Sequence, residues 1–443
     1  MATQRAGVTR PQPAVRPAEL ELIKAMKLRN LRWWIVSLLL LISILNYVDR
    51  QIFSILAPTI QAELGMSDAQ YGQIVSFFLA AYTFSYLVSG RIMDAIGARA
   101  GMALSLGLWS ASSALTGFAR GIGGIAWCRA GLGLFEAGGY TASPKVVSEW
   151  FPDKERGTAI SIYAIGASIG ATIAPLIIIT LANQYGWRGT FIVTGVFGLL
   201  LVIPWLVLFR PLYRHPWLGE AERQHILAGQ MPQPEAKPLS EAQRWGAIVS
   251  SRKIWALMGA RMLTDPVWYF LQFWMPKYLH SERGLSQNQL TSLWLIFLAA
   301  DIGFIAGGFF SDRLVRRGRL PADARRWVMG AAALTVPLFI GWVPHLGAIE
   351  LVFAFSMVVA LAHAAWLTCN AALVMDLVSK RLFATAFGFV SAGSALGGIV
   401  MNSAVAWAVS RYSYDSCFLF MVLLHPIAMF LILRFARGTQ PSL

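Results

Sequence analysis

From residue 33 onward the chain alternates between apolar runs and short polar breaks. The runs fall at 33–57, 69–93, 100–118, 121–144, 156–182, 188–209, 255–278, 287–311, 326–344, 348–376, 383–409 and 416–434. A hydrocarbon core about 30 Å thick needs roughly 20 apolar residues in helical form. The pattern therefore predicts an all-α polytopic membrane protein with twelve transmembrane helices, numbered here as segments one to twelve. Strands do not fit this length and apolarity, because backbone in lipid is satisfied only within a helix or a closed barrel. Composition agrees: 56% of the 443 residues are hydrophobic and 13% charged, where a soluble domain carries about a quarter charged. Residues 1–32 are polar and basic and lead straight into a run too long for a signal peptide, so no cleavable leader is expected.

The formal net charge of +15 suggests nucleic acid only until its distribution is read. With the N-terminus inside, 28 of the 37 Lys and Arg fall on inner segments, whereas the outer loops hold Arg120, Arg188, Lys277, Arg283 and Arg411. By the positive-inside rule this asymmetry predicts that both termini are cytoplasmic. The basic excess is topology; attraction to anionic membrane lipid is a by-product, and no nucleic-acid partner is expected. Cys128, Cys369 and Cys417 lie in or beside apolar runs without paired spacing, which argues against a disulfide or zinc site. No Asn-x-Ser/Thr acceptor occurs, in keeping with a bacterial inner membrane.

A polar, Pro-containing stretch divides the chain. The expected organisation is a cytoplasmic tail (1–32), a six-helix bundle (33–209), a cytoplasmic linker (210–254) with a short amphipathic piece "EAERQHIL", a second six-helix bundle (255–435) and a cytoplasmic tail (436–443). A repeat supports the division. "GRIMD" (Gly90 to Asp94) is echoed by "GFFSD" (Gly308 to Asp312), and "TAISIYAIGASIG" (158–170) by "TAFGFVSAGSALG" (385–397). Gly166 then matches Gly393 and Gly170 matches Gly397. Two parallel halves are the architecture of a transporter whose site lies at their interface. The Gly-x-x-x-Gly pairs read as close helix contacts, since no strand precedes them to make a nucleotide loop.

The paired Gly-x-x-x-Asp loops, the first completed by Gly97 and Arg99, resemble the signature of the major facilitator superfamily. More narrowly, "NYVDR", "CRAGLGLFEAG", "SEWFPDKERGTA" and "DPVWYFLQFWMPKYL" resemble the anion:cation symporter family, especially its bacterial hexuronate and galactonate transporters. The resemblance runs from about residue 33 to 435. It implies the major facilitator fold, a small organic anion as substrate and a proton as coupling ion with no other cofactor; a monomer is expected, though the sequence does not fix the oligomeric state. An enzyme is not expected, because His and Cys are scattered. Asp94 is then expected to face the start of segment eleven and Asp312 the start of segment five, forming with Arg99 a cytoplasmic gate.

Intramembrane charges are the strongest functional signal. Asp49 and Arg50 are adjacent in segment one, and each costs roughly 2.5–3.5 kcal/mol at a helix centre. Neighbours on a helix do not face one another, so each needs a partner elsewhere. Arg129 and Glu136 are seven residues apart in segment four, on one face and roughly 10 Å apart along the axis. Both can reach a central cavity at different heights; a purely structural ion-pair network is the alternative. The resemblance implies that Arg50 binds the substrate carboxylate, that Asp49 and Glu136 carry protons, and that Arg129 partners Asp49 and the anion. Proton and anion are then expected to bind together, with an Asp49–Arg129 contact re-forming on release.

Polar groups for a hydroxylated substrate are expected from Tyr47, Tyr82, Gln272, Asn370 and Asn402, with Trp268 and Trp274 stacking on its backbone. For any one alone, an interhelical hydrogen bond is an equal reading. A charge-poor second half opposite a charge-rich first half favours a sugar acid with one carboxylate over a dicarboxylate. An aromatic or dicarboxylic acid, or sodium coupling, remains open. Arg261 and Asp265 read as a local i,i+4 ion pair, with Pro266 as the source of a bend. Asp301 reads as a hydrogen-bonded structural carboxylate, with a second coupling site as the alternative, and His363 as a packing histidine, with a proton shuttle as the alternative. Lys145 reads as a snorkelling cation, and Trp33 and Trp34 as interface anchors.

Overall fold

Every one of the twelve apolar segments falls on helix, because in each the backbone is satisfied locally while the side chains stay apolar. The computed structural model describes residues 28–228, 240–378 and 382–436, apart from some side chains within them, Asp94 among these. Among the described residues the only extended pairing is one isolated bridge, Leu28 to Leu218. Seven helices, the first Leu31–Ile55 and the last Tyr414–Phe435, are long and apolar enough to cross a membrane by length and composition. Segments two and three run together as Asp68–Phe118, broken at Gly97 with φ 80°. Segments five and six run as Asp153–Leu208, broken at Gly186 with φ 68°. Both turns need a left-handed backbone that a side chain resists.

The two halves are built alike. Segment one packs on five and seven on eleven; segment two packs on four and eight on ten. Small residues allow the close approach. A Cβ at Gly166 would lie 2.7 Å from the Leu40 carbonyl, and one at Gly170 2.6 Å from that of Ile44. In the second half the matching glycines, Gly393 and Gly397, press on the carbonyls of Met258 and Met262. The Gly-x-x-x-Gly pairs thus make contacts within each half, and they align Leu40 with Met258 and Ile44 with Met262. Backbone carbonyls cannot step aside, so Gly170→Ala and Gly397→Ala should each cost about 1–3 kcal/mol. Both should lower the unfolding temperature in detergent. Gly246→Ala, in open space on a linker helix, should not lower it, and equal behaviour of all three would contradict this packing.

Between the halves, segment two meets eleven and segment five meets eight. One group of hydrogen bonds across this interface gathers at the end where segment one finishes. Tyr71 donates to the Phe273 carbonyl at 2.5 Å, Gln287 to that of Ile55 at 3.0 Å, and Thr59 to Gln287 at 2.9 Å. Lys277 pairs with Asp68 at the same end. The polar linker folds on the opposite face. Helix Glu220–Ala228 places Glu222 where it accepts from the backbone of Leu31 (3.1 Å) and from the Arg32 guanidinium (2.7 Å). Burial pushes the Glu155 carboxyl up, but hydrogen bonds from Arg32 and His225 outweigh it and hold it below the usual range.

Segment seven is helical over Arg252–Tyr269 and widens into a π turn at Phe270–Trp274. Pro266 supplies no backbone donor one turn before. Wide turns of this kind recur at functional sites, and this one carries Gln272.

Candidate functional site

A cavity of about 610 Å³ lies between the halves, a size suited to a small ligand. Its inner wall holds Tyr47, Arg50 and Tyr82 from the first half and Trp268, Tyr269 and Gln272 from the second. Ala164 and Ile165 on segment five, and Phe387 and Gly388 on segment eleven, line its linker side. The cavity therefore reaches toward the end opposite the cross-half contacts of Tyr71, Gln287 and Lys277.

Arg50 is the centre of the first-half wall. Its guanidinium lies 4.9 Å from the ring centroids of both Tyr47 and Tyr82, cation–π contacts that fix its direction. Its Nε donates to Glu136 Oε1 at 2.8 Å, and Nη2 reaches the same oxygen. The Arg50 side chain is 13% exposed and that of Glu136 1%. The cation thus faces the cavity and the carboxylate stands behind it.

Asp49 and Arg129 lie deeper. Asp49 is fully buried and accepts from the Ser113 hydroxyl at 3.1 Å, with Thr194 also against its carboxylate. Arg129 donates to the backbone carbonyls of Asp49 (3.3 Å) and Arg50 (3.2 Å), with its guanidinium 4.9 Å from the Phe78 ring. The expected Asp49–Arg129 carboxylate pair is therefore absent from this structure. Arg129 holds the main chain that carries both charges, because carbonyls lie nearer its fork than the Asp49 carboxylate, which points to segments three and six. The local partnership is Arg50 with Glu136.

The second half contributes one charged pair to the wall. Arg261 Nη2 and Asp265 Oδ2 are 2.7 Å apart, with side chains 16% and 3% exposed. The i,i+4 pair was expected; its place in the cavity was not. Positions 261, 265, 269 and 272 share one helix face, so the repeated polar residues on that stripe were the available signal. Tyr269 shares a hydrogen bond with Ser394 at 3.2 Å. Asp301 also lines the cavity, accepting from Ser168 and, at 2.7 Å, from Thr172 across the interface.

Other expected site residues lie elsewhere. Trp274 donates its indole N–H to Asn402 at 2.8 Å, and Asn402 donates to the Gly398 carbonyl at 2.8 Å. Both are buried at the closed end, so they serve packing between neighbouring helices and not the cavity wall. Asn370 is fully buried, off the cavity, with neither amide atom hydrogen-bonded. His363 and His425 pair at 3.1 Å in the interior, and Trp268 stacks against His363. Lys145 donates to the Met93 carbonyl at 2.9 Å, where snorkelling was expected.

The gate residues are also repartitioned. Asp312 accepts from Arg325 at 2.7 Å within its own half, so its carboxylate is taken by the neighbouring helix and not by segment five. Arg99 donates to the carbonyls of Phe209 (2.8 Å) and Leu206 (2.6 Å), closing the end of segment six. The Asp94 side chain lies outside the described residues.

This geometry is that of a carrier, and the comparisons with known proteins agree. The Major Facilitator Superfamily profile matches residues 39–345. The chain belongs to the major facilitator superfamily. It is a membrane transporter, not an enzyme. It is 32% identical over 288 residues to a galacturonate transporter of Dickeya chrysanthemi, covering 64% of this chain and 82% of that one. It is 32% identical to a hexuronate transporter of Escherichia coli (strain K12), over 68% of this chain and 67% of that one. In three dimensions the transporter resembles a bacterial homologue of the human lysosomal transporter Spinster, solved inward-facing and unoccupied. The TM-score is 0.77, with 19% identity over 94% of this chain and 100% of that one.

Proposed function

We propose that this transporter is a proton-coupled symporter of a sugar acid of hexuronate or hexonate size, working by alternating access in a bacterial inner membrane with both termini cytoplasmic. The observation that carries the reading is Arg50: a guanidinium on the wall of the cavity between the halves, backed by a buried carboxylate. A substrate carboxylate can take over both of its donors in a bidentate contact. Glu136 then becomes a buried charge without its cation, which is costly. A proton from the cavity removes that cost, so anion and proton are taken up together. Asp49, among hydroxyls one layer back, is the second proton site. The coupling exchange assigned from sequence to Asp49 and Arg129 is thus moved to Glu136 and Arg50.

Tyr47, Tyr82, Tyr269 and Gln272 offer hydroxyl and amide partners to a polyol chain, and Trp268 an apolar face for its C–H groups. With the termini inside, the cross-half contacts of Tyr71, Gln287 and Lys277 close the outer end, and the cavity addresses the cytoplasm. The relatives named as sugar-acid transporters support the substrate class. Uptake into proteoliposomes under an imposed proton gradient, with glucuronate, galacturonate, galactonate and an aromatic acid, tests the reading. A sugar acid should accumulate without sodium, and collapsing the gradient should abolish accumulation. Accumulation indifferent to the proton gradient, or confined to the aromatic acid, refutes it.

A further inference from the structure

Among the described residues, four charged side chains line the cavity: Arg50, Arg261, Asp265 and Asp301. Arg50 has Glu136 behind it, and Arg261 is matched by Asp265 on its own helix. Asp301 differs, since its described donors are the neutral hydroxyls of Ser168 and Thr172. Among its described residues the second-half wall therefore carries one more acidic than basic side chain. The repeat sharpens the contrast: Thr83 and Asp301 occupy matching places before the loop aspartates Asp94 and Asp312, and both face the cavity. One position is thus neutral in the half that holds Arg50 and acidic in the half opposite.

We propose that Asp301 is a specificity-determining residue that accepts a substrate hydroxyl and rejects a second carboxylate. This rests on the function proposed above. With one carboxylate seated on Arg50, the far end of a short sugar acid meets the Arg261–Asp265 pair and Asp301. A hydroxyl there can replace Ser168 or Thr172 as a donor to Asp301. A carboxylate has no proton to donate, and at this wall it meets a like charge. Arg261 could offset this only by leaving Asp265, 2.7 Å away, as an unpaired negative charge on the same wall.

The test is equilibrium binding of D-galactonate, D-galacturonate and galactarate to the purified full chain, comparing wild type with Asp301→Asn. Wild type should bind the better of the two single-carboxylate acids at least about tenfold more tightly than galactarate. In Asp301→Asn that ratio should fall toward one, mainly through tighter galactarate binding; a purely structural role would weaken all three ligands together. Equal or preferred binding of galactarate by the wild type overturns the assignment without the variant being needed. So does an unchanged ratio in a folded Asp301→Asn. Binding of none of the three sinks the proposed function and this assignment together, whereas equal binding of all three sinks this assignment alone.

Discussion

Arg50→Gln is expected to weaken substrate binding on the order of 100-fold or more. Hydrogen bonds from a charged donor contribute about 1.5–3 kcal/mol each, and the guanidinium offers two to one carboxylate. The same change leaves Glu136 buried without its cation, which costs folding stability about 3–5 kcal/mol. The two effects separate in a double variant. Arg50→Gln with Glu136→Gln should regain most of the lost stability, because the buried charge is gone, yet still fail to bind. Arg50→Lys should also bind poorly, since an ammonium lacks the planar fork and the stacking geometry held by Tyr47 and Tyr82. Titration calorimetry in detergent, alongside thermal unfolding, reads both quantities. Binding of Arg50→Gln within about threefold of wild type would remove Arg50 from the site.

Glu136→Gln and Asp49→Asn should abolish accumulation driven by a proton gradient while leaving exchange of labelled for unlabelled substrate across the membrane. An amide keeps the shape of the carboxyl group and permanently removes its charge, so the carrier can still rock with substrate but no longer needs a proton to do so. Glu136→Gln should show the fuller effect on substrate affinity, because it touches Arg50 directly. Asp49 acts from one layer back, against Ser113, so its variant should alter coupling with less change in affinity. The paired measurement is the accumulation ratio against the rate of counterflow. If both variants accumulate substrate as wild type does, neither carboxylate carries the coupled proton.

The parts legible in the sequence were those set by local pattern. Apolar runs long enough to cross a bilayer marked the helices, and Gly166, Gly170, Gly393 and Gly397 marked the repeat because only a hydrogen atom fits where two helices nearly touch. Asp49, Arg50, Arg129 and Glu136 stood out because a charge in an apolar run is expensive without a purpose. Arg261 with Asp265 was legible as a pair, since its partners are one helical turn apart.

Partnership and direction were decided only by the tertiary structure. Sequence showed that Arg50 needed a partner but not that Glu136, 86 positions away, would supply it. It could not turn Arg129 toward main-chain carbonyls, Trp274 toward Asn402, or Asp312 toward Arg325. Nor could it show that Asp301 and Arg261 face the same cavity as Arg50. Helical periodicity fixes which residues share a face. Which face meets which neighbour follows from how whole helices pack, and that depends on side-chain volume across many long-range contacts. The chain alone therefore determined a two-fold repeated helical membrane protein with costly buried charges; packing alone decided which of those charges meet each other and which face the cavity between the halves.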